Sequence, residues 1–136
     1  MVAERIIEGI KSVKDIELEL KNQKEAKPEI VAGYDIIAFG SPNHMGKATR
    51  GVRKFIDKVG KLKLRQKKGF LFDTYTGGDH TKAVRSMENI INEKVKGLKL
   101  ISSGLSVRVK GMRGPPVEHA LDECLDYGKK LGSLLK

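Results

Sequence analysis

At 136 residues the chain is long enough for one domain, 1–136, with a real core, and too short for two comfortable ones. Apolar residues make up 39%, no apolar run reaches bilayer-spanning length, and Met1–Arg5 mixes acid and base without a secretory apolar segment, so a cytoplasmic location is expected. The formal net charge is +10, and the single cysteine, Cys124, excludes an internal disulfide and any cysteine-rich zinc or iron–sulfur site.

Taken in chain order, Val2–Ser12 reads as a helix with Val2, Ile6, Ile10 and Val13 on one face and Gly9 as a mild weakness. Asp15–Leu20 alternates strictly, which predicts an edge strand with one wet face. A polar stretch, Lys21–Lys27, leads to Pro28–Gly33, a short helical turn opened by proline and closed by glycine. Tyr34–Gly40 is then a strand. Its run Ile36–Phe39 lacks polar alternation, as expected of a strand covered on both faces.

A loop, Ser41–Gly46, feeds a helix over about Lys47–Val59, where Val52, Phe55, Ile56 and Val59 point inward. Lys68–Asp73 is the next buried strand, and the loop Thr74–His80 opens a helix reaching about Glu93 with Val84, Met87 and Ile91 inward. Leu98–Ile101 and Leu105–Val109 read as strand segments, with one strand bent at Ser102–Gly104 as an option. Gly111–Pro116 is a loop whose prolines pre-set a last helix, with Val117, Ala120, Leu121, Cys124, Gly128 and Leu131 on its buried face. The neighbours Leu121 and Leu131 mark Cys124 as a buried apolar thiol. Helices alternating with strands argue for a mostly parallel sheet with helices on both faces, an α/β sandwich.

The charge is concentrated. Between Lys47 and Lys68 stand ten basic residues and one acid, Asp57, so this segment carries +9 and the remaining chain +1. Such a patch can steer an acidic protein, bind nucleic acid, or simply form a solvated face. No aromatic stacking platform or zinc motif accompanies it, which weighs against nucleic acid.

Loops at the carboxyl ends of parallel strands are where open α/β sheets take ligands. Two such loops, Gly40-Ser-Pro-Asn-His-Met-Gly46 and Phe72-Asp-Thr-Tyr-Thr-Gly-Gly78, with the helices that follow them, resemble the flavodoxin-like family over nearly the whole chain. The resemblance implies a flavodoxin-like three-layer sandwich that binds flavin mononucleotide (FMN) and shuttles electrons to a redox partner protein or supports a reductase. Flavodoxins are ordinarily acidic; the basic segment departs from that pattern and leaves the redox partner open, an acidic protein being one option. The family also begins with an extra apolar strand and a hydroxyl-rich loop around the flavin phosphate, and neither is present ahead of the first helix. Three explanations stand side by side: a start lying upstream, a strand supplied by a second subunit in a homodimer, or an adapted fold with weakened flavin binding.

The resemblance assigns the isoalloxazine ring to Ser41, Pro42, Asn43, His44, Met45 and Gly46 in the first loop. Thr74, Tyr75, Thr76, Gly77, Gly78 and Asp79 match the second. Stacking needs a flat aromatic such as Tyr75, with Met45 as a cover for the other ring face, and glycines permit close backbone approach. Thr74–Thr81 admits a second reading as an anion-capturing loop, with Asp79 working against it and serving instead as a helix cap. His44 and His80, with Asp73 or Asp79, lie near enough in pattern to hold a metal but match no ligand motif. His119 reads as surface or packing, and Arg113 as a counter-charge at the ligand mouth. No nucleophile–base arrangement stands out, so no catalytic residue is assigned. The alternative from another class is a flavin-free interaction module that uses the basic segment 47–68.

Overall fold

The apolar run Phe70–Phe72 lies in the middle strand of the sheet and Ile36–Phe39 in the strand beside it, where exposed Ala38 leaves one face uncovered, against the expectation of cover on both. In the computed structural model, which describes residues 2–110, 115–117 and 119–135, strand β1 (Ile36–His44) continues past its apolar run and turns back on itself through β2 (Lys47–Ala48). The next strand, β3 (Lys67–Tyr75), pairs with β1 in parallel from Ile36↔Lys68 to Pro42↔Thr74. On its other edge β3 takes β4 (Leu98–Leu100) at its start and β5 (Leu105–Arg108) at its end, both parallel. The bend at Ser102–Gly104 therefore divides one line of pairing into two short strands.

Helices cover both faces. Helix α2 (Arg50–Gly60) and helix α3 (Lys82–Lys94) bury Val52, Ile56, Val59, Val84, Met87 and Ile91 against Ile37, Phe39 and Leu71. The inward positions expected from helical spacing are all occupied, with Phe55 half-buried edge-on to Phe39 at 6.3 Å between centroids. On the opposite face α1 (Val2–Val13) and α4 (Ala120–Leu134) bury Ile6, Ile10, Cys124 and Leu131 with Phe70 and Val107. A short 3-10 stretch occupies Pro28–Gly33 as the proline and glycine predict.

Several expectations are corrected. Helix α2 starts at Arg50, because Lys47 and Ala48 pair back onto β1 and the Thr49 side chain accepts the amide of Val52 as N-cap. Helix α4 starts at Ala120, later than the prolines suggested, because Pro116 is held in a bridge to Val109. Val13 is exposed, and Leu121 only half-buried. Asp15–Leu20 joins no ladder among the described residues, although Ile16 and Leu18 are half-buried against the α1–α4 cluster. Alternation encodes a dry side and a wet side; it does not encode a backbone partner. Along Ile36–Pro42, β1 pairs only with β3 among the described residues, and Ala38 lies exposed between buried Ile37 and Phe39.

Gly9 is a contact point rather than a weakness. A Cβ there would collide with the Leu125 carbonyl, and one at Gly128 with the Ile6 carbonyl, so α1 and α4 cross backbone to backbone at these two glycines. Gly128→Ala is expected to push the helices apart and cost about 2 kcal/mol in urea unfolding, since the obstructing atoms are main chain and cannot rotate away. An unchanged midpoint would show that the crossing is loose.

Cys124 is fully buried on the same face, and burial, followed by the nearby Glu123 charge, pushes its thiol up to about 11. The folded protein is therefore expected to resist iodoacetamide at mildly alkaline pH and to react fully in denaturant, because only the thiolate is nucleophilic. Rapid alkylation of folded protein would contradict this burial. No helix among the described residues is long and apolar enough to cross a membrane.

Candidate functional site

The parallel register of β1 and β3 sets Ser41 level with Asp73 and Pro42 level with Thr74. Both carboxyl ends therefore reach the same rim of the sheet. Thr74 and Tyr75 are the last residues of β3 rather than loop residues, and Tyr75 pairs with Arg108 of β5. The first loop is likewise a hairpin, with Asn43 opposite Ala48 and His44 opposite Lys47.

Its turn is made by Met45 at φ +55° and Gly46 at φ +81°. Two consecutive positive values match the turn that suits the twist of a hairpin, but only the glycine adopts one without steric cost. Met45 is also 90% exposed. A large apolar side chain held in water on a costly backbone is an arrangement found where strain serves a site.

Asn43 joins the two loops. Its Oδ1 accepts the Gly46 amide at 2.8 Å, which shapes the turn, and its Nδ2 donates to the Asp79 carbonyl at 3.1 Å. In the second loop Gly77 has φ +60°, and a Cβ built on Gly77 or Gly78 would meet nothing within 4 Å. These glycines leave open backbone beside Tyr75, whose half-buried ring lies edge-to-face with His80 at 5.1 Å. Asp79 pairs with Lys82 at 3.3 Å. It does not cap α3, whose N-cap position is Thr81.

Beneath the loops lies a cluster that sequence reading missed. Asp73 is 0% exposed; its Oδ1 accepts the Ser106 hydroxyl at 2.5 Å and its Oδ2 accepts the Val84 amide at 2.8 Å. The Ser106 oxygen in turn accepts the Thr81 amide at 2.9 Å. One carboxylate thus ties β3 to β5 and to the start of α3. Burial pushes its carboxyl above the ordinary value, against the opposing pull of the Ser106 and Val84 hydrogen bonds. The lone acid ending an otherwise apolar strand was the available signal. Its partner Ser106, far off in sequence, gave none.

This cluster weighs against the anion-capturing reading of Thr74–Thr81 at its helix end. The Thr81 and Val84 amides at the helix start are already bound to Ser106 and Asp73. Ser41 is 4% exposed and also employed internally, since its oxygen accepts the Thr49 amide at 2.9 Å. Of the other first-loop residues, Pro42, His44 and Met45 are exposed, and Asn43 and Gly46 are half-buried. His44 and His80 belong to no group of three or more His, Cys, Asp or Glu side chains among the described residues. His119 is exposed at the start of α4, its ring 3.9 Å from Asp122. Arg113 lies outside the described residues.

No family model matches the chain. An uncharacterized protein of Methanocaldococcus jannaschii is 32% identical over 87 residues, which are 64% of this chain and 55% of that protein. The chain thus spans about half the length of the curated relative it matches. Solved structures align far more widely. A flavodoxin from the domain Archaea has a TM-score of 0.79 at 22% identity, covering 97% of this chain and 86% of that one. Flavodoxin 1 from Bacillus cereus gives 0.81 at 20% identity, over 99% and 89%. The flavodiiron protein from Giardia intestinalis gives 0.77 at 19% identity, over 98% of this chain and 32% of that one. At these identities the likeness is one of architecture. The chain has the flavodoxin-like fold, helices on both faces of a mostly parallel five-stranded sheet.

Proposed function

We propose that the chain binds flavin mononucleotide by its ring, between the Asn43–Gly46 hairpin and the Tyr75–Asp79 loop, and acts as an electron-transfer protein or oxidoreductase component. The observation that carries this reading is the Asn43 side chain. By bonding Asp79 across the rim it holds the two loops of one slot together. The hairpin offers the exposed Met45, and the second loop the half-buried Tyr75 ring beside the open backbone of Gly77 and Gly78, surfaces that suit a flat heterocycle. Flavodoxins and flavodiiron proteins among the structural neighbours add weight to that choice of ligand.

The residues fit the ring better than the phosphate. At this rim the Thr81 and Val84 amides that would best cradle an anion are committed to Ser106 and Asp73. When bound, the flavin supplies the redox chemistry. The chain's own residues position it and limit water: Met45 and Tyr75 cover its faces, Gly77 and Gly78 allow main-chain approach to its edge, and Asn43 fixes the width of the slot.

The test is a titration of the purified chain with FMN and, separately, with riboflavin, followed by visible absorption and flavin fluorescence. Saturation near one flavin per chain is expected, with riboflavin binding within about tenfold of FMN because the ring makes most of the contact. Spectra identical to free flavin at the highest concentration would overturn the reading.

A further inference from the structure

The exposed face of α2 carries more positive charge than its stability calls for: Lys58 and Lys61 suit the C-terminal end of the helix dipole, but Arg50 at its start does not. Arg50, Lys54, Lys58 and Lys61 follow one another at helical spacing, and all four are exposed. Like charges four residues apart repel, and a cation in the first turn opposes the helix dipole. The first turn of α2 contains no acid that would offset it. The one acid of the helix, Asp57, is engaged by Lys94 at 2.6 Å, which holds its carboxyl below the usual range. Among the described residues none of the four cations takes part in an ion pair, whereas Lys82 and Lys94 do. The result is a stripe about 16 Å long whose one acidic neighbour on the helix, Asp57, acts on Lys61 but is held mainly by Lys94.

Its position is equally specific. The stripe begins where Thr49 is hydrogen-bonded to Ser41, at the root of the Asn43–Gly46 hairpin, and the exposed Lys47 extends it to the rim. We infer that this face docks an acidic protein, which α2 orients against the open loops. That the docked protein exchanges electrons rests on the flavin reading; the docking itself does not.

Nucleic acid is the less favoured occupant. Three of the four side chains are lysines, compact and strongly hydrated charges suited to brief protein contacts, whereas phosphate recognition favours arginine forks. The aromatic of α2, Phe55, packs inward on Phe39 and offers no base a stacking surface.

The experiment uses the full chain and three probes: a rubredoxin of net negative charge, a basic cytochrome c, and a short duplex DNA. Amide NMR shifts on titration with the rubredoxin are expected along Arg50–Lys61 and the hairpin, and to fade as salt is raised. The R50Q/K54Q/K58Q/K61Q variant, all at exposed sites, should weaken that binding at least about tenfold while leaving the flavin titration unchanged and the thermal midpoint no lower. Equal rubredoxin binding by variant and parent, shifts confined to other surfaces, or tighter binding of the DNA or the cytochrome would overturn the inference. A chain that takes no flavin yet binds rubredoxin along α2 would uphold docking and defeat the flavin reading alone.

Discussion

Replacing Asp73 by alanine is expected to destabilise the protein by about 3 kcal/mol and lower its thermal midpoint by roughly 10 °C. The substitution orphans the Ser106 hydroxyl and the Val84 amide beneath the loops and leaves a void where the carboxylate was. Relief of the buried charge offsets part of that cost, but two unmet donors and a cavity outweigh it. Asp73→Asn retains an acceptor and is expected to lose only about 1 kcal/mol. If alanine and asparagine proved equally mild, the carboxylate would not be the tie between β3, β5 and α3.

The same residue has a pH signature. Its carboxyl is raised in the fold by burial, so the folded chain keeps this proton to higher pH than the unfolded chain does. The resulting stability is fully present below the ordinary carboxylate value and is lost as pH rises through the raised one. This slope is opposite in sign to that of an exposed, ion-paired acid such as Asp57, whose carboxyl Lys94 holds down. Urea midpoints of parent and Asp73→Asn should therefore diverge at acid pH, the parent gaining stability relative to the variant as pH falls toward the ordinary carboxylate value. Parallel curves would show that Asp73 titrates normally.

The helical faces were legible in the sequence because each is a local, periodic pattern with a large apolar content. Val52, Ile56 and Val59 needed nothing beyond their own spacing to be placed inward, and the same holds for Val84, Met87 and Ile91. What escaped were features decided by partners distant in the chain. β1 runs on through Gly40–His44 because β3 and β2 supply its hydrogen bonds, not because those residues favour a strand. Asp15–Leu20 shows the converse, a good strand pattern without a ladder. Gly9 looked like a defect until Gly128 arrived from the other end of the chain.

The site divides in the same way. That the two loops share one rim could be read from strand ends, since parallel neighbours deliver their loops to the same side. The internal use of Ser41, and the commitment of the α3 amides to Asp73 and Ser106, could not. Both depend on side chains meeting across elements, and both narrow the proposed binding surface to the hairpin and the Tyr75–Asp79 segment.

Asn43→Ala is expected to raise the flavin dissociation constant roughly 30-fold, about 2 kcal/mol, while the thermal midpoint barely moves. Asn43 is half-buried at the rim and holds no part of either core cluster, so its loss frees the loops without loosening the sheet. Its two hydrogen bonds can be separated. Asn43→Asp keeps an acceptor for the Gly46 amide and so preserves the hairpin turn, but it sets an oxygen against the Asp79 carbonyl where a donor stood. If the span between loops is what grips the ring, the aspartate variant should bind flavin as poorly as alanine or worse, since repulsion is added to the lost bond. If the hairpin turn alone matters, it should bind like the parent, and the slot between the two loops would not be the binding site. Fluorescence titration of the three proteins side by side decides between these outcomes, and the added negative charge can be separated from the lost donor by repeating the aspartate titration at high salt.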